Sequence, residues 1–328
     1  MNLEEALNKF PKKRIIVVGD VILDRFTWGN IRRVNPEQPA SPLVEVTSES
    51  YTLGGAANVA NNIASLSGRV TLYGVIGDDM HGNQIINECH EKEINFISFI
   101  HNQSTIVKQR LMAHNQQITR IDYGEKDLET ISLQTQDSIL ESLRQEIKNY
   151  DLVILSDYNK HIFTYQFSQR IISLSNSLGI PIIVDPKPKN IDFFQNCTIV
   201  CPNKHEAESI AEIEYSNGSN RNEALLKISQ KIATRVNSTY VTITCGEDGV
   251  FSYHHNNDSR FIPTYAKQVA DVTGAGDTFA AALALGFSSG LKIHDAARLA
   301  NYAAGIVVEK VGTATPSIEE LSAKLISQ

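Results

Sequence analysis

Short apolar runs along the chain alternate with longer stretches in which apolar residues recur at helical spacing. The short runs predict buried strands at 15–18, 70–75, 152–155, 181–184, 198–200 and 240–244. The longer stretches predict helices at 56–66, 137–147, 167–178, 278–287 and 295–309. Strands that alternate with amphipathic helices form βαβ units, so we predict a mostly parallel sheet with helices on both faces.

Two regions depart from this pattern, at 27–46 and 105–123. The first holds prolines between short alternating pieces, and the second alternates apolar and charged residues around Lys108 and Arg110. We predict that both are strand pairs that leave the α/β body and form a small second sheet. No repeat or linker-like tract divides the chain. We therefore expect a single domain over residues 1–328, with the small sheet as a lid that excludes water from a bound ligand.

The composition is that of a globular, acidic protein. Of the 328 residues, 42% are hydrophobic and 20% are charged, which allows a sizeable core and argues against disorder. The 30 Lys and Arg residues and 37 Asp and Glu residues give a net charge of −7. This balance argues against nucleic acid or an anionic membrane as the main partner. It does not exclude small anions, which need only a few local cations and backbone N–H groups.

Several features point to a cytoplasmic protein. The first 14 residues place acids before bases and lack the apolar core of a secretory signal. No stretch reaches the ~20 apolar residues that would cross a bilayer. Cys89, Cys197, Cys201 and Cys245 are too few and too scattered for a disulfide framework, and they lack the paired spacing of a zinc site. We expect reduced, mostly buried thiols.

The strongest chemical motif is Asp271-Val-Thr-Gly-Ala-Gly-Asp277, which leads directly into an Ala-rich helix. The N–H groups of Gly274, Ala275 and Gly276 would lie at the helix start, where unsatisfied donors and the helix dipole favour an anion. Like charges repel, so Asp277 is better suited to act as a general base for a hydroxyl that attacks a bound phosphoryl group. The alternative is a plain glycine turn in which Asp277 caps the helix.

Other phosphate-binding signatures are absent from the chain. There is no Gly-x-x-x-x-Gly-Lys-[Ser/Thr], and no Gly-x-Gly-x-x-Gly follows the first predicted strand. The sequence therefore argues against a P-loop enzyme and against a nicotinamide dehydrogenase.

The stretch 271–277 resembles the C-terminal signature of the ribokinase-like, or PfkB, carbohydrate kinases, and 54–62 resembles their N-terminal signature. Within that family the chain is most similar to the D-glycero-β-D-manno-heptose-7-phosphate kinases. The stretches that carry this similarity are Gly19-Asp-Val-Ile-Leu-Asp24-Arg, Arg33-Val-Asn-Pro-Glu37-Gln-Pro, Val107-Lys-Gln-Arg110, Gln116-Gln-Ile-Thr-Arg120-Ile-Asp122, Asp157-Tyr, Asp185-Pro-Lys187 and Pro202-Asn203-Lys-His-Glu206.

The resemblance implies a ribokinase-like three-layer α/β/α sandwich with a β-sheet lid. It also implies transfer of the ATP γ-phosphoryl group, with Mg²⁺, to the anomeric hydroxyl of the heptose. The product, heptose 1,7-bisphosphate, would lead to nucleotide-activated heptose for lipopolysaccharide core or other surface glycans. In many relatives a nucleotidyltransferase is fused after the kinase; since the chain ends at Gln328, we expect a separate protein to perform that step.

Candidate sugar ligands occur in three places. Asp20 and Asp24 follow the first strand and can bind sugar hydroxyls, with local capping as the alternative. Gly54 and Gly55 allow close approach of a ligand that Asn58 can reach, unless Asn58 only caps the turn. A third group lies in the second excursion: Lys108, Arg110 and Arg120 supply cations for the distal phosphate, Lys108 first, although exposed edge charges explain them equally simply. The resemblance adds Asp157, Lys160 and Lys187 to the substrate site.

The nucleotide side is assigned by the resemblance. The family's Asn-x-x-Glu element, which organises Mg²⁺ and the ATP phosphates through water, matches Asn203-Lys204-His205-Glu206. A capping box at a helix start is the simpler reading of Asn203 and Glu206, and both roles can coexist. The remaining candidates are Thr244, Gly246 and Gly249 in a nucleotide-binding loop and Asn301 beside the adenine. Whether a monovalent cation supports the anion hole stays open.

One loop departs from the heptose kinases. They tend to carry Asp-Tyr-Gly-Lys-Gly, whereas this chain reads Asp157-Tyr-Asn159-Lys-His161. Asn and His tolerate left-handed backbone less well than Gly does, so the loop path is uncertain.

Alternatives to this function also stay open. One is a related kinase for another sugar, such as a hexose phosphate or ribose, or for a nucleoside. Another is a catalytically silent module of the same fold that senses a sugar or nucleotide. Because Trp28, Ile31 and Val34 are apolar lid residues, we expect a homodimer through the lid.

Overall fold

A computed structural model of the protein describes residues 2–31, 36–38, 41–114, 116–126, 128–214, 221–265, 269–310 and 312–326. The strands are β1 (Arg14–Gly19), β2 (Val21–Asn30), β3 (Glu45–Gly55), β4 (Arg69–Gly77), β5 (Asn95–His101), β6 (Val107–Ala113), β7 (Gln116–Tyr123), β8 (Leu152–Ser156), β9 (Ile182–Asp185), β10 (Ile199–Val200), β11 (Tyr240–Thr244), β12 (Gly249–His254) and β13 (Asp258–Pro263). The α-helices are α1 (Leu3–Leu7), α2 (Ala56–Ser65), α3 (Met80–Glu91), α4 (Leu133–Glu146), α5 (Tyr165–Ser177), α6 (Lys204–Ala211), α7 (Arg221–Val236), α8 (Ala275–Ser288), α9 (Ile293–Val307) and α10 (Ile318–Ile326).

The large sheet has the order β13-β12-β11-β10-β9-β8-β1-β4-β5. Its pairs from β11 to β5 are parallel, and β12 and β13 add an antiparallel hairpin at one edge. Alternate residues of β1 enter two separate apolar clusters, Ile15 and Val17 on one face and Ile16 and Val18 on the other. Helices α2, α8 and α9 pack on the first face, and α4, α5 and α7 pack on the second. The predicted three-layer α/β/α architecture is confirmed.

The small sheet has the order β3-β2-β6-β7. Strand β2 pairs antiparallel with β3, β6 pairs antiparallel with β7, and the two pairs are joined by parallel pairing of β2 with β6. The first strand pair begins at Val21 and ends at Gly55, well outside the range 27–46 that the prolines suggested. The ends of these strands nearest the α/β body are buried, so their sequence resembles that of core strands. The sequence pattern therefore placed the start of the first strand pair too late and its end too early.

Strand β5 and the extent of helix α6 are among the features that the sequence analysis did not predict, each for a physical reason. Strand β5 is the outer strand of the large sheet and is only half-buried, so it lacks the continuous apolar run of a central strand. Helix α6 is short and starts at a capping box, and its apolar residues are too few to show a period. Among the described residues, no helix is long and apolar enough to span a membrane.

Helices α2 and α8 are joined by a buried polar contact. Thr278 Oγ1 donates to Asn62 Oδ1 at 2.6 Å, and Asn62 Nδ2 donates to the carbonyl of Asn58 at 2.8 Å. Both side chains are fully buried, so their hydrogen bonds cannot be replaced by water. This contact sets the N-terminal ends of the two helices side by side, at the edge where the parallel strands β1, β8, β9 and β11 end. Ligands of open α/β sheets bind at that edge.

Candidate active site

The N-terminus of α8 is an open anion-binding turn. Gly274 is its N-cap and has φ +79°, a left-handed conformation that suits glycine. A Cβ at this position would also lie 2.9 Å from Asn58 Nδ2. Within the described part of the chain, the N–H groups of Gly274, Gly276 and Asp277 have no hydrogen-bond partner, whereas Ala275 donates to Val272 at 3.3 Å. The turn therefore presents several unpaired donors together with the positive end of the helix dipole.

Asp277 lies in the first turn of α8 and is buried. Asn58 Nδ2 donates to its Oδ2 at 2.6 Å, and the Tyr158 hydroxyl donates to its Oδ1. Burial raises the pKa of Asp277 to about 6, although the two hydrogen bonds oppose the rise. A carboxyl group with this pKa is mostly ionised at neutral pH yet close to the pH at which it can accept and release a proton, as general-base catalysis requires.

The cavity in front of Asp277 is lined both by residues predicted to bind the nucleotide and by residues predicted to act in catalysis. It has a volume of about 120 Å³. Its wall is formed by Tyr158, Asp185, Lys187, Cys201, Asn203, Glu206, Thr244, Gly274, Gly276, Asp277 and Phe279. The structure thus brings the Asn-x-x-Glu element and the glycine turn to one place, although they are about seventy residues apart in sequence.

Asn203 and Glu206 form the expected capping box at the start of α6. The Glu206 N–H donates to Asn203 Oδ1 at 3.0 Å, and the Asn203 N–H donates to Glu206 Oε2 at 2.9 Å. The other oxygen of Glu206 accepts from Lys187 Nζ at 2.5 Å. Since both carboxylate oxygens already have protein partners, Glu206 fits a magnesium ion held through water better than one bound directly.

Asp185 is a carboxylate in this cavity that the sequence analysis did not select as a site residue. It ends β9, and no other described residue forms a hydrogen bond with its side chain. Burial raises the pKa of Asp185 well above its ordinary value, and the negative charge of Glu206 adds to the effect. Burial lowers the pKa of Lys187, but the charges of Asp185 and Glu206 outweigh it, so Lys187 remains a cation. These two carboxyl groups beside the helix N-terminus supply the oxygen ligands that suit a hard cation carrying phosphates, and the charge of such a cation would favour their ionised forms.

The other nucleotide candidates lie around this cavity rather than in it. His205 is exposed and contacts Glu208 at 3.3 Å, and its neighbour Lys204 begins α6. Gly246 lies in the loop after β11, and Gly249 begins β12. Asn301 on α9 donates to the carbonyl of Pro263 at 2.8 Å. These positions border the same edge of the sheet, but only Thr244 of the loop lines the cavity.

One face of the small sheet carries the predicted sugar ligands. Asp24 pairs in register with Lys108, and Arg110 pairs with Arg120, so the side chains share a face. Arg110 forms an ion pair with Asp24. A Cβ at Gly54 would lie 2.4 Å from Asp24 Oδ2, so glycine there leaves the space that the carboxylate occupies.

Asp20 and Asp157 do not line the cavity but lie beneath the loop that follows β8. Asp20 accepts hydrogen bonds from the backbone N–H groups of Tyr158, Lys160 and Ile162 at 2.9–3.2 Å. Asp157 accepts from the N–H groups of Asn159 and Lys187 and from the Asn190 side chain. Burial raises the pKa of Asp20 to about 7, with Asp157 as the second cause. Asp20 thus caps a loop that lies 138–142 residues away in sequence rather than its own turn, and its contact with the sugar stays a prediction.

The loop that departs from the heptose kinases adopts a glycine-like path. Asn159 has φ +55° and His161 has φ +73°, both in the left-handed region that glycine adopts without cost. The loop therefore keeps a left-handed path at both positions despite losing both glycines. The hydrogen bonds to Asp20 and Asp157 hold it there.

Residues 12–321 match the model of the pfkB family of carbohydrate kinases. The chain belongs to this family and is an ATP-dependent sugar kinase.

Among curated proteins, the chain is 39% identical over 310 residues to the bifunctional protein HldE of Sulfurimonas denitrificans, covering 94% of this chain and 63% of that protein. It is 37% identical over 314 residues to the bifunctional protein HldE of Helicobacter pylori strain HPAG1, covering 94% of this chain and 66% of that protein. The chain thus spans a little under two thirds of the length of these relatives.

Solved structures share the fold. Phosphofructokinase-2 from Escherichia coli in complex with substrates and products has a TM-score of 0.79 at 17% identity, and 96% of this chain and 99% of that chain are covered. Arabidopsis thaliana ribokinase complexed with ribose and ATP has a TM-score of 0.71 at 20% identity, with 95% and 98% covered. These likenesses confirm a ribokinase-like fold.

The left-handed backbone at His161 gives the first testable prediction. Replacing His161 by Val should lower the free energy of unfolding by about 1–2 kcal/mol, because a β-branched residue is strongly disfavoured at positive φ. His161→Gly should leave stability within about 1 kcal/mol of the wild type, since glycine gains backbone freedom but loses no hydrogen bond. Urea unfolding of both variants measures the difference. Equal stability of the Val and Gly variants would contradict the left-handed path.

Proposed function

We propose that the protein phosphorylates D-glycero-β-D-manno-heptose 7-phosphate at its anomeric hydroxyl, with ATP as donor and Mg²⁺ as counter-ion. The observation that carries the proposal concerns Lys108, a half-buried cation without an ion-pair partner in the described part of the chain. It lies against the same tyrosine that contacts the proposed base Asp277. A kinase whose base faces such a cation suits a sugar that already carries a phosphate. The remaining steps of the argument follow the reacting groups from the donor to the acceptor.

The donor side consists of the free N–H groups of Gly274, Gly276 and Asp277 with the acidic residues across the cavity. The N–H groups would bind the charge that develops on the transferring phosphoryl group, where preorganised donors are most effective. Asp185 and Glu206 would hold a hydrated Mg²⁺, which neutralises the triphosphate. Asp277 would then take the proton of the attacking hydroxyl, and its two hydrogen bonds keep the carboxylate aimed.

The acceptor side is distinguished by how its cations are paired. Four of the five cations predicted for the substrate already have carboxylate partners. Arg110 pairs with Asp24, Arg120 with Asp122 at 2.9 Å, Lys160 with Glu125 at 2.7 Å and Lys187 with Glu206 at 2.5 Å. Lys108 has no ion-pair partner among the described residues, and burial lowers its pKa. A partly desolvated ammonium without a partner favours an incoming anion, so we assign the sugar's phosphate to Lys108.

The sugar ring fits between these two groups. Tyr158 contacts Asp277 through its hydroxyl and Lys108 through its ring, with the ammonium 5.7 Å from the ring centroid. Tyr158 thus contacts both the base and the cation, and we infer that the sugar spans the space between them. Asp24 and Asn58 lie at the sides of this gap and are suited to the sugar hydroxyls. Asp20 and Asp157 would act indirectly, by holding the loop.

A related kinase with another acceptor is the second candidate, because the family includes kinases for several sugars and the relatives are longer proteins with two activities.

The role of Asp277 is tested by Asp277→Asn. This variant should fold normally and bind ATP, yet lose at least about 10³-fold in kcat, because an amide cannot accept the proton of the attacking hydroxyl. Coupled release of ADP measures turnover, and nucleotide binding is measured by calorimetry. Asp137→Asn, on the exposed surface of α4, is the matched control and should behave as the wild type. Wild-type turnover in Asp277→Asn would contradict the proposal.

The acceptor is tested with a panel of heptose 7-phosphate, the unphosphorylated heptose, fructose 6-phosphate, ribose and adenosine. Heptose 7-phosphate should have the highest kcat/KM, and phosphorus NMR should place the new phosphate at C1. Lys108→Ala should lower kcat/KM for heptose 7-phosphate by at least tenfold, since a charge-assisted contact contributes about 1.5–3 kcal/mol. The unphosphorylated heptose should be affected less than about threefold by the same change.

Lys227→Ala, an exposed lysine on α7, is the control for loss of charge and should change neither value. A preference for another acceptor would favour the second candidate. An equal loss of kcat/KM for both heptoses in Lys108→Ala would show that Lys108 does not bind the phosphate of the sugar.

We further infer a homodimer formed through the small sheet. Strand β7 is an edge strand that is exposed along its whole length and carries Ile118, Ile121 and Tyr123, each at least 36% exposed. An exposed apolar edge of this kind favours pairing, and a second copy of the same chain offers an identical edge. Trp28 lies on β2, which β6 separates from β7, and Ile31 follows β2; both side chains are half-buried, and Val34 lies outside the described residues.

Light scattering measures the mass in solution, which should be that of a dimer. Ile121→Lys should give a monomer, because a charge at the edge blocks strand pairing. Leu133→Lys, at a more exposed apolar position on α4, should remain a dimer. A wild-type monomer, or a dimer of Ile121→Lys, would contradict this interface.

A further inference from the structure

Tyr158, which the sequence analysis did not select, contacts three groups of the candidate site. Its hydroxyl donates to Asp277 Oδ1. Its ring lies 5.7 Å from the ammonium of Lys108 and 5.3 Å from that of Lys187. One side chain therefore touches the general base, the cation assigned to the acceptor and the cation that binds Glu206 on the donor side.

The position of this ring is set by the backbone beneath it. The Tyr158 N–H donates to Asp20 at 2.9 Å, and the N–H groups of the next two residues donate to Asp157 and Asp20. The left-handed residues Asn159 and His161 complete the turn. Two buried carboxylates and two unfavourable backbone conformations thus serve to hold one aromatic side chain in place, which is more constraint than a surface loop needs.

We propose that Tyr158 is a positioning residue for phosphoryl transfer: its hydroxyl aims the Asp277 carboxylate, and its ring holds the Lys108 ammonium toward the acceptor. The proposal rests on the proposed function, in which Asp277 is the base and Lys108 binds the acceptor's phosphate. The two contacts use different parts of the side chain. They can therefore be removed one at a time.

The hydroxyl contact predicts a change in the pH dependence of the reaction. Several charged groups face Asp277: Asp24 on the small sheet and Asp185 at the end of β9 disfavour its ionised form, whereas Lys187 favours it. Tyr158 and Asn58 donate hydrogen bonds that also favour the ionised form. Removing the Tyr158 hydroxyl must therefore raise the pKa of Asp277 above its value of about 6. The base then stays protonated, and inactive, up to a higher pH.

Tyr158→Phe tests the hydroxyl. The acid limb of the kcat/KM profile should move to higher pH by about one unit, and kcat on the plateau should fall about tenfold because the carboxylate is no longer aimed. The KM for heptose 7-phosphate should change less than about twofold, since the ring and Lys108 remain. A loss of kcat with an unmoved acid limb would mean a merely structural role and would overturn the proposal, as would a profile identical to that of the wild type.

Replacement of Tyr158 by 3-fluorotyrosine gives a shift of the opposite sign. The fluorine makes the hydroxyl a stronger donor and leaves the size of the ring almost unchanged, so the acid limb should move to lower pH. This variant keeps the test decisive if Tyr158→Phe folds poorly. An unmoved acid limb in the fluorinated protein would overturn the proposal.

Tyr158→Leu tests the ring. It should reproduce the effects of Tyr158→Phe and in addition raise the KM for heptose 7-phosphate about fivefold, because the cation–π contact to Lys108 is lost. An unchanged KM relative to Tyr158→Phe would overturn the part of the proposal that concerns the ring.

Tyr150→Phe is the matched control for a lost tyrosine hydroxyl. Tyr150 hydrogen-bonds Thr71 and Glu146 at the opposite edge of the large sheet, so neither kcat nor the acid limb should change; a shifted limb in this control would overturn the assignment to Tyr158. Asp277→Asn distinguishes a failure of the proposed function from a failure of the role proposed for Tyr158. If that variant is active, the proposed function itself fails. If it is inactive and the Tyr158 variants keep the wild-type profile, only the role of Tyr158 fails.

Discussion

The packing of α2 against α8 is the contact on which the site depends. The fully buried hydrogen bond between Thr278 and Asn62 fixes the relative rotation of the two helices. One turn away, Asn58 donates to Asp277. Since α2 follows β3 directly and α8 follows the glycine turn, this contact joins the small sheet to the anion-binding turn. A displacement of α2 would move the sugar-binding face and the base together, so their relative geometry is preserved.

The pairing of charges within the site explains how an acidic protein can bind anionic ligands. Of the five cations proposed from the sequence, all but Lys108 have a carboxylate partner in the described structure. A paired cation is positioned but partly neutralised, whereas an unpaired one attracts a phosphate strongly at short range. The net charge of −7 therefore says little about the site. Local pairing decides which cation is available, and the free N–H groups of α8 supply the remaining positive potential without adding charge.

Sequence alone predicted the parts of the site that depend on local patterns. The glycine turn before Asp277 and the capping box of Asn203 and Glu206 are short motifs at helix starts, and both occur where predicted. Tyr158 and Asp185 were not selected as site residues because nothing in their neighbourhood marks them. Tyr158 matters through residues that are more than a hundred positions away, and Asp185 through burial. One signal was available for both residues. Each is polar, belongs to a stretch that carries the resemblance and lies at or just after the end of a buried strand.

Asp20 shows why a residue type does not determine its role. A carboxylate after the first strand was equally compatible with a sugar ligand and with a local cap. The structure gives Asp20 a further role, because the loop after β8 brings three backbone N–H groups to its carboxylate. Such contacts form between segments that are distant in sequence, so no local pattern could have shown them.

Buried acids that do not line the cavity shape the chemistry through this loop. Asp20 and Asp157 hold a turn in which Asn159 and His161 adopt positive φ, a conformation that costs roughly 1 kcal/mol or more per residue. The hydrogen bonds to the two carboxylates offset that cost, since bonds to charged groups contribute about 1.5–3 kcal/mol each. In return, Tyr158 is held against Asp277 before any substrate arrives. A relaxed loop would leave the tyrosine free to rotate, and the base would have to be aimed during each turnover. In the proposed mechanism, this turn therefore contributes to catalysis by holding Tyr158 in place.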